Sequence, residues 1–105
     1  NDWMCLDGPF LYKSNDGKLL MIWSSFDDNG YLEAIAYSED GTISGKWKHC
    51  EKALSAINGG HGMIFKTFNG YPIFTMHYPN TPYGDERPLL IRINEISDEP
   101  YLQIV

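Results

Sequence analysis

The sequence predicts an all-β fold of two four-stranded antiparallel sheets, each of the type that forms one blade of a β-propeller. Three observations support this prediction. Short runs rich in aromatic and branched residues alternate with Asp-Gly and Asn-Gly turns, the pattern of the first half returns in the second, and no run has convincing helical periodicity. The chain has 105 residues, of which 43% are hydrophobic, so one globular domain is expected.

Four strands are predicted in the first half, in the order PFLYK, LLMIWSS, YLEAIAYS and KWKHC. The turns between them, SNDGK, FDDNG and EDGTISG, each carry glycine after aspartate or asparagine. Such dipeptides are typical of hairpins, so neighbouring strands are expected to pair in antiparallel fashion. The first half therefore reads as a four-stranded meander.

The second half repeats this plan after the connector EKALSAINGG. Its strands are predicted at GMIFK, YPIFTMHY, PLLIRI and YLQIV, separated by TFNG, PNTPYGDER and NEISDE. The segment EKALSAI is the rival for a helix, of about two turns at most. An offset of 53 residues pairs similar residues of the two halves: Lys13 with Lys66, Gly17 with Gly70, Tyr12 with Phe65, and Trp23 with Met76. Gly8 also pairs with Gly62 if one residue of the second half is left unmatched, which makes the offset 54 at this point.

The repeat predicts a domain organisation. Residues 1–53 form the blade with a carboxylate-Gly-Pro motif, and residues 54–105 form the blade with a Gly-His-Gly motif. Propellers close with about 4 to 8 blades, and each blade buries its faces against its neighbours. Two blades would leave two apolar faces in water. The chain is therefore expected to work with the remaining blades of a longer parent chain or with another copy.

Charge and composition exclude some partners. The net charge is −6 and lysine and arginine form no cluster, so no nucleic-acid partner is expected. No apolar run approaches the roughly 20 residues of a membrane-spanning helix, so no membrane partner is expected. Cys5 precedes the innermost strand and Cys50 ends the outermost. Three strand spacings of about 4.8 Å separate them, and both thiols are predicted to be free.

Asp7 and His61 are candidate site residues because of their place in the repeat. The first strand of a propeller blade lies nearest the central axis, so a residue at its start faces the axial cavity. Each of the two precedes a glycine, which lets the backbone approach the axis closely. The two side chains are therefore predicted to face one cavity. Alternatively, Asp7 is a turn or capping residue and His61 is structural.

Aromatic side chains are further candidates, because the apolar faces of sugar rings pack well on aromatic planes. Trp3 and Tyr83 lie outside the predicted strands and are expected at the rim of the pocket, where they would bind substrate. Trp23 and Trp47 lie within strands and are expected to fill an interface between blades.

LDGPFLYK, LLMIWSS, IAYSEDGTISGKW and GGHGMIFKTFNG, in this order, resemble the second half of glycoside hydrolase family 43 and its relatives. These enzymes are five-bladed β-propellers that cleave arabinose- or xylose-containing glycans. The match covers nearly the whole chain and weakens after MHYPN. The resemblance implies an oligosaccharide or polysaccharide substrate and an extracytoplasmic location, secreted or periplasmic.

The resemblance also implies an inverting mechanism, in which one carboxylic acid protonates the leaving oxygen and a second carboxylate activates water. It carries the role of general acid onto Asp7. The position is generally Glu in the family, and the shorter side chain of Asp7 moves the carboxyl group by about 1.5 Å. The resemblance implies that His61 lies at the floor of the pocket, near a calcium ion at the propeller axis or the waters of that ion.

In the family, the base and an orienting carboxylate come from earlier blades, so this chain taken alone as a monomer is expected not to hydrolyse a glycoside. The alternative function is non-catalytic: a glycan-binding or structural propeller fragment in which Asp7 is a turn residue. A protein-interaction propeller is a third reading, weakened by the paired polar positions at the axis.

Overall fold

The computed structural model of the chain describes residues 7–28, 30–81 and 83–105. It contains eight described strands and, in these ranges, no helix, so the fold-class prediction is confirmed. The EKALSAI segment forms bends and an isolated bridge instead of a helix. The first sheet consists of β1 (Asp7–Lys13), β2 (Leu19–Asp27), β3 (Gly30–Ser38) and β4 (Trp47–His49). The second consists of β5 (Gly60–Lys66), β6 (Pro72–Tyr78), β7 (Arg87–Glu95) and β8 (Leu102–Ile104).

Each sheet is an antiparallel meander, with the order β1-β2-β3-β4 in the first and β5-β6-β7-β8 in the second. The first strands of the two sheets contact each other, and β5 also contacts β2 and β3. The two blades therefore meet where β5, the first strand of the second sheet, packs against the first three strands of the first sheet. Nowhere in the described ranges is there a helix that could span a membrane.

Both first strands begin with a β-bulge. The pairing of β1 with β2 shifts between Asp7 and Phe10, and the pairing of β5 with β6 shifts between Gly60 and Met63. The bulges therefore correspond at the same offset of 53 residues that relates the rest of the two halves, and no residue is dropped.

This register corrects one prediction from the sequence. The structural counterpart of Gly8 is His61 and not Gly62, so Asp7 and His61 are not equivalent by pseudo-symmetry. The backbone shows this directly, because φ is +57° at Gly8 and +54° at His61. In both bulges the second residue has this left-handed conformation, which glycine adopts without strain. This position is Gly8 in the first blade and His61 in the second. Matching glycine with glycine therefore paired Gly8 with Gly62, one residue too far along the chain.

The main hydrophobic core lies between the two sheets. It takes side chains from alternate positions of the paired strands, as expected for sheets that pack face to face. Its buried members are Tyr12, Leu20, Ile22, Ile35, Cys50, Leu54, Ile64, Phe74, Met76, Ile93 and Leu102. The connector is tied to the first sheet, because Leu54 donates its backbone N–H to the carbonyl oxygen of Glu33 on β3, at 2.8 Å.

Each sheet also has an apolar face that points away from the other sheet. On the first, Trp23, Ala34 and Ala36 form a buried cluster against which Trp47 packs. On the second, the outward side chains are exposed, and they include Met63, Phe65 and Leu90, with exposed fractions of 53%, 46% and 61%. Apolar faces of this kind are what neighbouring blades cover in a propeller.

Candidate functional site

Asp7 lies at the start of β1, where it pairs with Ser24 of β2. Its side chain is exposed, and its Oδ1 accepts a hydrogen bond from the backbone N–H of Gly8 at 2.9 Å. This hydrogen bond orients the carboxyl group at the start of β1. The placement agrees with the prediction that this carboxylate begins the inner strand of a blade.

Asp7 borders a cavity of about 270 Å³ on the outward face of the first sheet. The other lining residues are mostly apolar: Pro9, Met21, Trp23, Ala36, Trp47 and His49. Trp23 and Trp47 therefore lie on a face that a further blade would cover, in line with their predicted place at an interface. His61 is not among the described residues that line this cavity. This cavity is therefore not the shared one that Asp7 and His61 were predicted to face.

His61 contacts Gly8, the residue that follows Asp7. Its ring is exposed, and a Cβ atom added at Gly8 would be 3.1 Å from Nδ1 of His61. A larger residue at this position would displace the ring. Gly8 is thus required twice, by its positive φ and by the approach of the imidazole.

A buried pair of side chains in the first blade holds the bulge that carries His61. The hydroxyl oxygen of Ser24 accepts the backbone N–H of His61, and Oε2 of Glu33 accepts the backbone N–H of Gly62 at 3.0 Å. The Ser24 hydroxyl in turn donates to Oε1 of Glu33 at 2.9 Å. Both side chains are fully buried. They fix two successive N–H groups of a strained segment, and so they position the His61 ring through its backbone.

Sequence reasoning missed Glu33. The signal was present, because Glu33 alternates in phase with Ile35 on β3, and Ile35 belongs to the core between the sheets. A charged residue on the buried face of a strand requires hydrogen-bond partners. One partner, Ser24, lies on the neighbouring strand, but the other, the backbone N–H of Gly62, lies in the other blade, 29 residues along the chain, and only the fold brings it close.

Burial raises the pKa of the Glu33 carboxyl from its ordinary value of 4.5 to about 7, although its two hydrogen bonds act in the opposite direction. The folded protein therefore holds a proton on Glu33 at pH values where the unfolded chain has released it. Between about pH 4.5 and pH 7 the folded state binds more protons than the unfolded state, so stability falls as the pH rises through this window.

We expect this titration to lower the free energy of unfolding by about 3 kcal/mol between pH 4.5 and pH 7.5, because the carboxyl must ionise in a buried site. Glu33→Gln, which stays neutral, is expected to remove this part of the pH dependence. Urea unfolding of both proteins across the range measures it, with Glu51→Gln at an exposed position as the control. Equal pH slopes for wild type and Glu33→Gln would contradict a buried, protonated Glu33.

The remaining predicted residues fall in three places. Tyr83 lies in the loop between β6 and β7 and is 83% exposed, which fits its predicted place at a rim. Trp3 and Cys5 lie outside the described residues. Cys50 is a buried free cysteine that follows β4, and the described strand order agrees with the reasoning that predicted two free thiols.

The described side chains do not by themselves build a calcium site. Calcium takes about six to eight oxygen ligands, whereas His61 offers only ring nitrogens and could contact the ion through water. In the described ranges, no three His, Cys, Asp or Glu side chains group together as metal ligands. A calcium ion at a propeller axis would need oxygen ligands from other blades.

Comparison with solved structures identifies similar folds. An endo-arabinase from Bacteroides thetaiotaomicron is 38% identical, with a TM-score of 0.79 over 89% of this chain and 32% of the arabinase. An endo-1,4-beta-xylanase from the same organism is 25% identical, with a TM-score of 0.73 over 96% of this chain and 38% of the xylanase. No protein-family model and no curated protein sequence matches the chain.

A thermostable family-43 glycoside hydrolase shows the same fold at 20% identity, with a TM-score of 0.69 over 94% of this chain and 35% of the hydrolase. The chain thus spans about a third of the length of the solved structures it matches. These findings confirm the resemblance to family-43 glycoside hydrolases, and the two blades are similar to part of such an enzyme.

Proposed function

We propose that this chain supplies two blades of a glycosidase that cleaves arabinose- or xylose-containing glycans by an inverting mechanism. The observation that carries the proposal is the place of Asp7, an exposed carboxylate at the start of the first strand of a blade, in a chain whose sequence is 38% identical to about a third of an endo-arabinase. The apolar face that each sheet turns away from the other supports further blades on both sides, supplied by the parent chain or by another copy, and the proposal takes the complete propeller to have five blades.

In this proposal Asp7 is the general acid. Its carboxyl group donates a proton to the leaving glycosidic oxygen, while a carboxylate from another blade activates water on the opposite side of the sugar. His61, held against Gly8 by Ser24 and Glu33, lies beside the acid and contacts the substrate. An extracytoplasmic location is part of the proposal, because polymeric glycans of this class are found outside the cell.

A second candidate function is glycan binding without hydrolysis. The specific observation in its favour is Tyr83, an aromatic side chain that is 83% exposed beside a groove of about 380 Å³. In this reading Asp7 caps the start of its strand through its hydrogen bond to Gly8 and plays no chemical part.

Hydrolysis assays separate the two functions. We expect the intact protein that contains this chain to release nitrophenol from an aryl α-L-arabinofuranoside or β-D-xyloside, with the product sugar first appearing in the inverted anomeric form by proton NMR. We expect the 105-residue chain alone, as a monomer, to show no turnover, because the base must lie about 6.5 to 9.5 Å from the acid on another blade. Retention of configuration, or turnover by the purified chain that Asp7→Asn abolishes, would contradict the proposal.

A further inference from the structure

A groove of about 380 Å³ opens between the two blades, outside the position of Asp7 and His61. One wall comes from the β2–β3 hairpin of the first blade and the other from the segments that flank β5 and follow β6 in the second. The lining residues in the described ranges are Phe26, Gly30, Tyr31, Asn58, Asn80, Thr81 and Tyr83. Both walls belong to this chain, so other blades are not needed to form the groove.

The groove lies at the same end of the sheets as the candidate acid. Asp7 pairs with Ser24, and Phe26 follows Ser24 by two residues at the end of β2. In the second blade Gly60 pairs with His77, and the β6–β7 loop follows directly. A bound chain could therefore extend from the inner strands, past the hairpin of the first blade, into the groove.

Asn58 ties the two walls together. Its Oδ1 accepts the backbone N–H of Tyr31 at 3.3 Å, and its own N–H donates to the carbonyl of Tyr31 at 3.0 Å. On the other side its Nδ2 donates to Oγ1 of Thr81 at 3.0 Å, and its carbonyl accepts the N–H of Asn80 at 2.6 Å. Asn58 also has φ of +66°, which asparagine tolerates better than most residues. The groove is thus formed before any ligand enters, which lowers the entropic cost of binding.

The lining has the chemistry of a site for a neutral, polyhydroxylated ligand. Three of its side chains, Phe26, Tyr31 and Tyr83, are aromatic, and the described lining carries no formal charge. Asn80 lines the groove and its side-chain oxygen lies 2.8 Å from Nε2 of His77, so its amide nitrogen is the side-chain atom that can donate to a ligand. Aromatic planes with amide and hydroxyl groups suit sugar rings, whereas a phosphate or carboxylate ligand would need a cation.

We propose that this groove is a glycan subsite, which binds a sugar residue of the substrate chain away from the bond next to Asp7. The inference rests on the proposed function for its choice of arabinose or xylose units. Tyr83 is the main stacking residue, because its ring is exposed and the fold does not need it. The Asn80 amide then donates to a sugar hydroxyl.

Tyr83→Ala in the intact protein tests the subsite, because its exposed position makes a loss of folding unexpected. The probes are arabinopentaose and xylopentaose, which are long enough to reach the groove, and the corresponding nitrophenyl monosaccharides, which are not. We expect the ratio of kcat/KM for the pentasaccharide to kcat/KM for the aryl glycoside to fall about tenfold. Phe68→Ala removes a fully exposed aromatic from the turn between β5 and β6, at the opposite end of the sheet, and should leave the ratio unchanged.

The outcomes separate this inference from the proposed function. Hydrolysis with an unchanged ratio in Tyr83→Ala overturns the subsite and leaves the glycosidase in place. If no glycoside is hydrolysed, calorimetric titration with the two pentasaccharides decides: binding that Tyr83→Ala weakens supports the subsite and overturns the glycosidase. Absence of hydrolysis together with absent binding, or with binding that the variant does not alter, overturns both.

Discussion

Gly62→Ala is expected to lower the free energy of unfolding by about 3 kcal/mol, because the position has no room for a side chain. A Cβ atom at Gly62 would lie 2.2 Å from Cε1 of Phe74 and 2.8 Å from Oε2 of Glu33. Phe74 is fully buried in the core between the sheets, and Glu33 is held by two hydrogen bonds. Neither side chain can move without breaking other contacts, so the inner strand of the second blade must shift.

Chemical denaturation of Gly62→Ala and Gly17→Ala gives a matched comparison. Gly17 has φ of +91° and open space around its Cβ position, so alanine there costs only the backbone strain, about 1 kcal/mol. The larger loss at Gly62 measures the lack of room beside Phe74 of the same sheet and Glu33 of the first blade. If Gly62→Ala proved no more destabilising than Gly17→Ala, the close packing of Phe74 and Glu33 around Gly62 would be contradicted.

Asp7→Asn is expected to lower kcat on arabino- or xylo-oligosaccharides by about 10²- to 10⁴-fold in the intact protein, because proton donation to the leaving oxygen is lost. The fold should be unaffected, since the side chain is exposed and asparagine can still accept the hydrogen bond from Gly8. Asp98→Asn, at an exposed position in the turn before β8 and at the opposite end of the second sheet, is the control for loss of one negative charge. An Asp7→Asn enzyme as active as Asp98→Asn would show that Asp7 has no chemical role.

The strands were predictable because their signals are local. Every hairpin except the one between β7 and β8 has a glycine in its turn, and each strand is a short run of branched and aromatic residues, so the order of the eight strands follows from the sequence. The bulges were not predictable in the same way. A left-handed residue in a bulge is normally glycine, and His61 in that conformation gives no sign of it in the sequence.

In the candidate site, too, one part was predictable from local sequence and another part was not. Asp7 could be identified from its place at the start of a strand and from the motif around it. The pair Ser24 and Glu33 could not, because its hydrogen-bond partners are the backbone N–H groups of His61 and Gly62 in the other blade. Every residue except proline has a backbone N–H group, so the sequence does not show which of them Ser24 and Glu33 bind. Only the packing of the two sheets shows it.

The dependence of the Asp7→Asn defect on the leaving group tests the central claim most directly. A dinitrophenyl leaving group departs without protonation, whereas a sugar hydroxyl needs a general acid. If Asp7 is that acid, Asp7→Asn in the intact protein should lose about 10²- to 10⁴-fold in kcat/KM on an arabino- or xylo-oligosaccharide and far less on the matching dinitrophenyl glycoside. Equal losses on both substrates, or no loss on either, would contradict the assignment of Asp7 as the proton donor of a glycosidase.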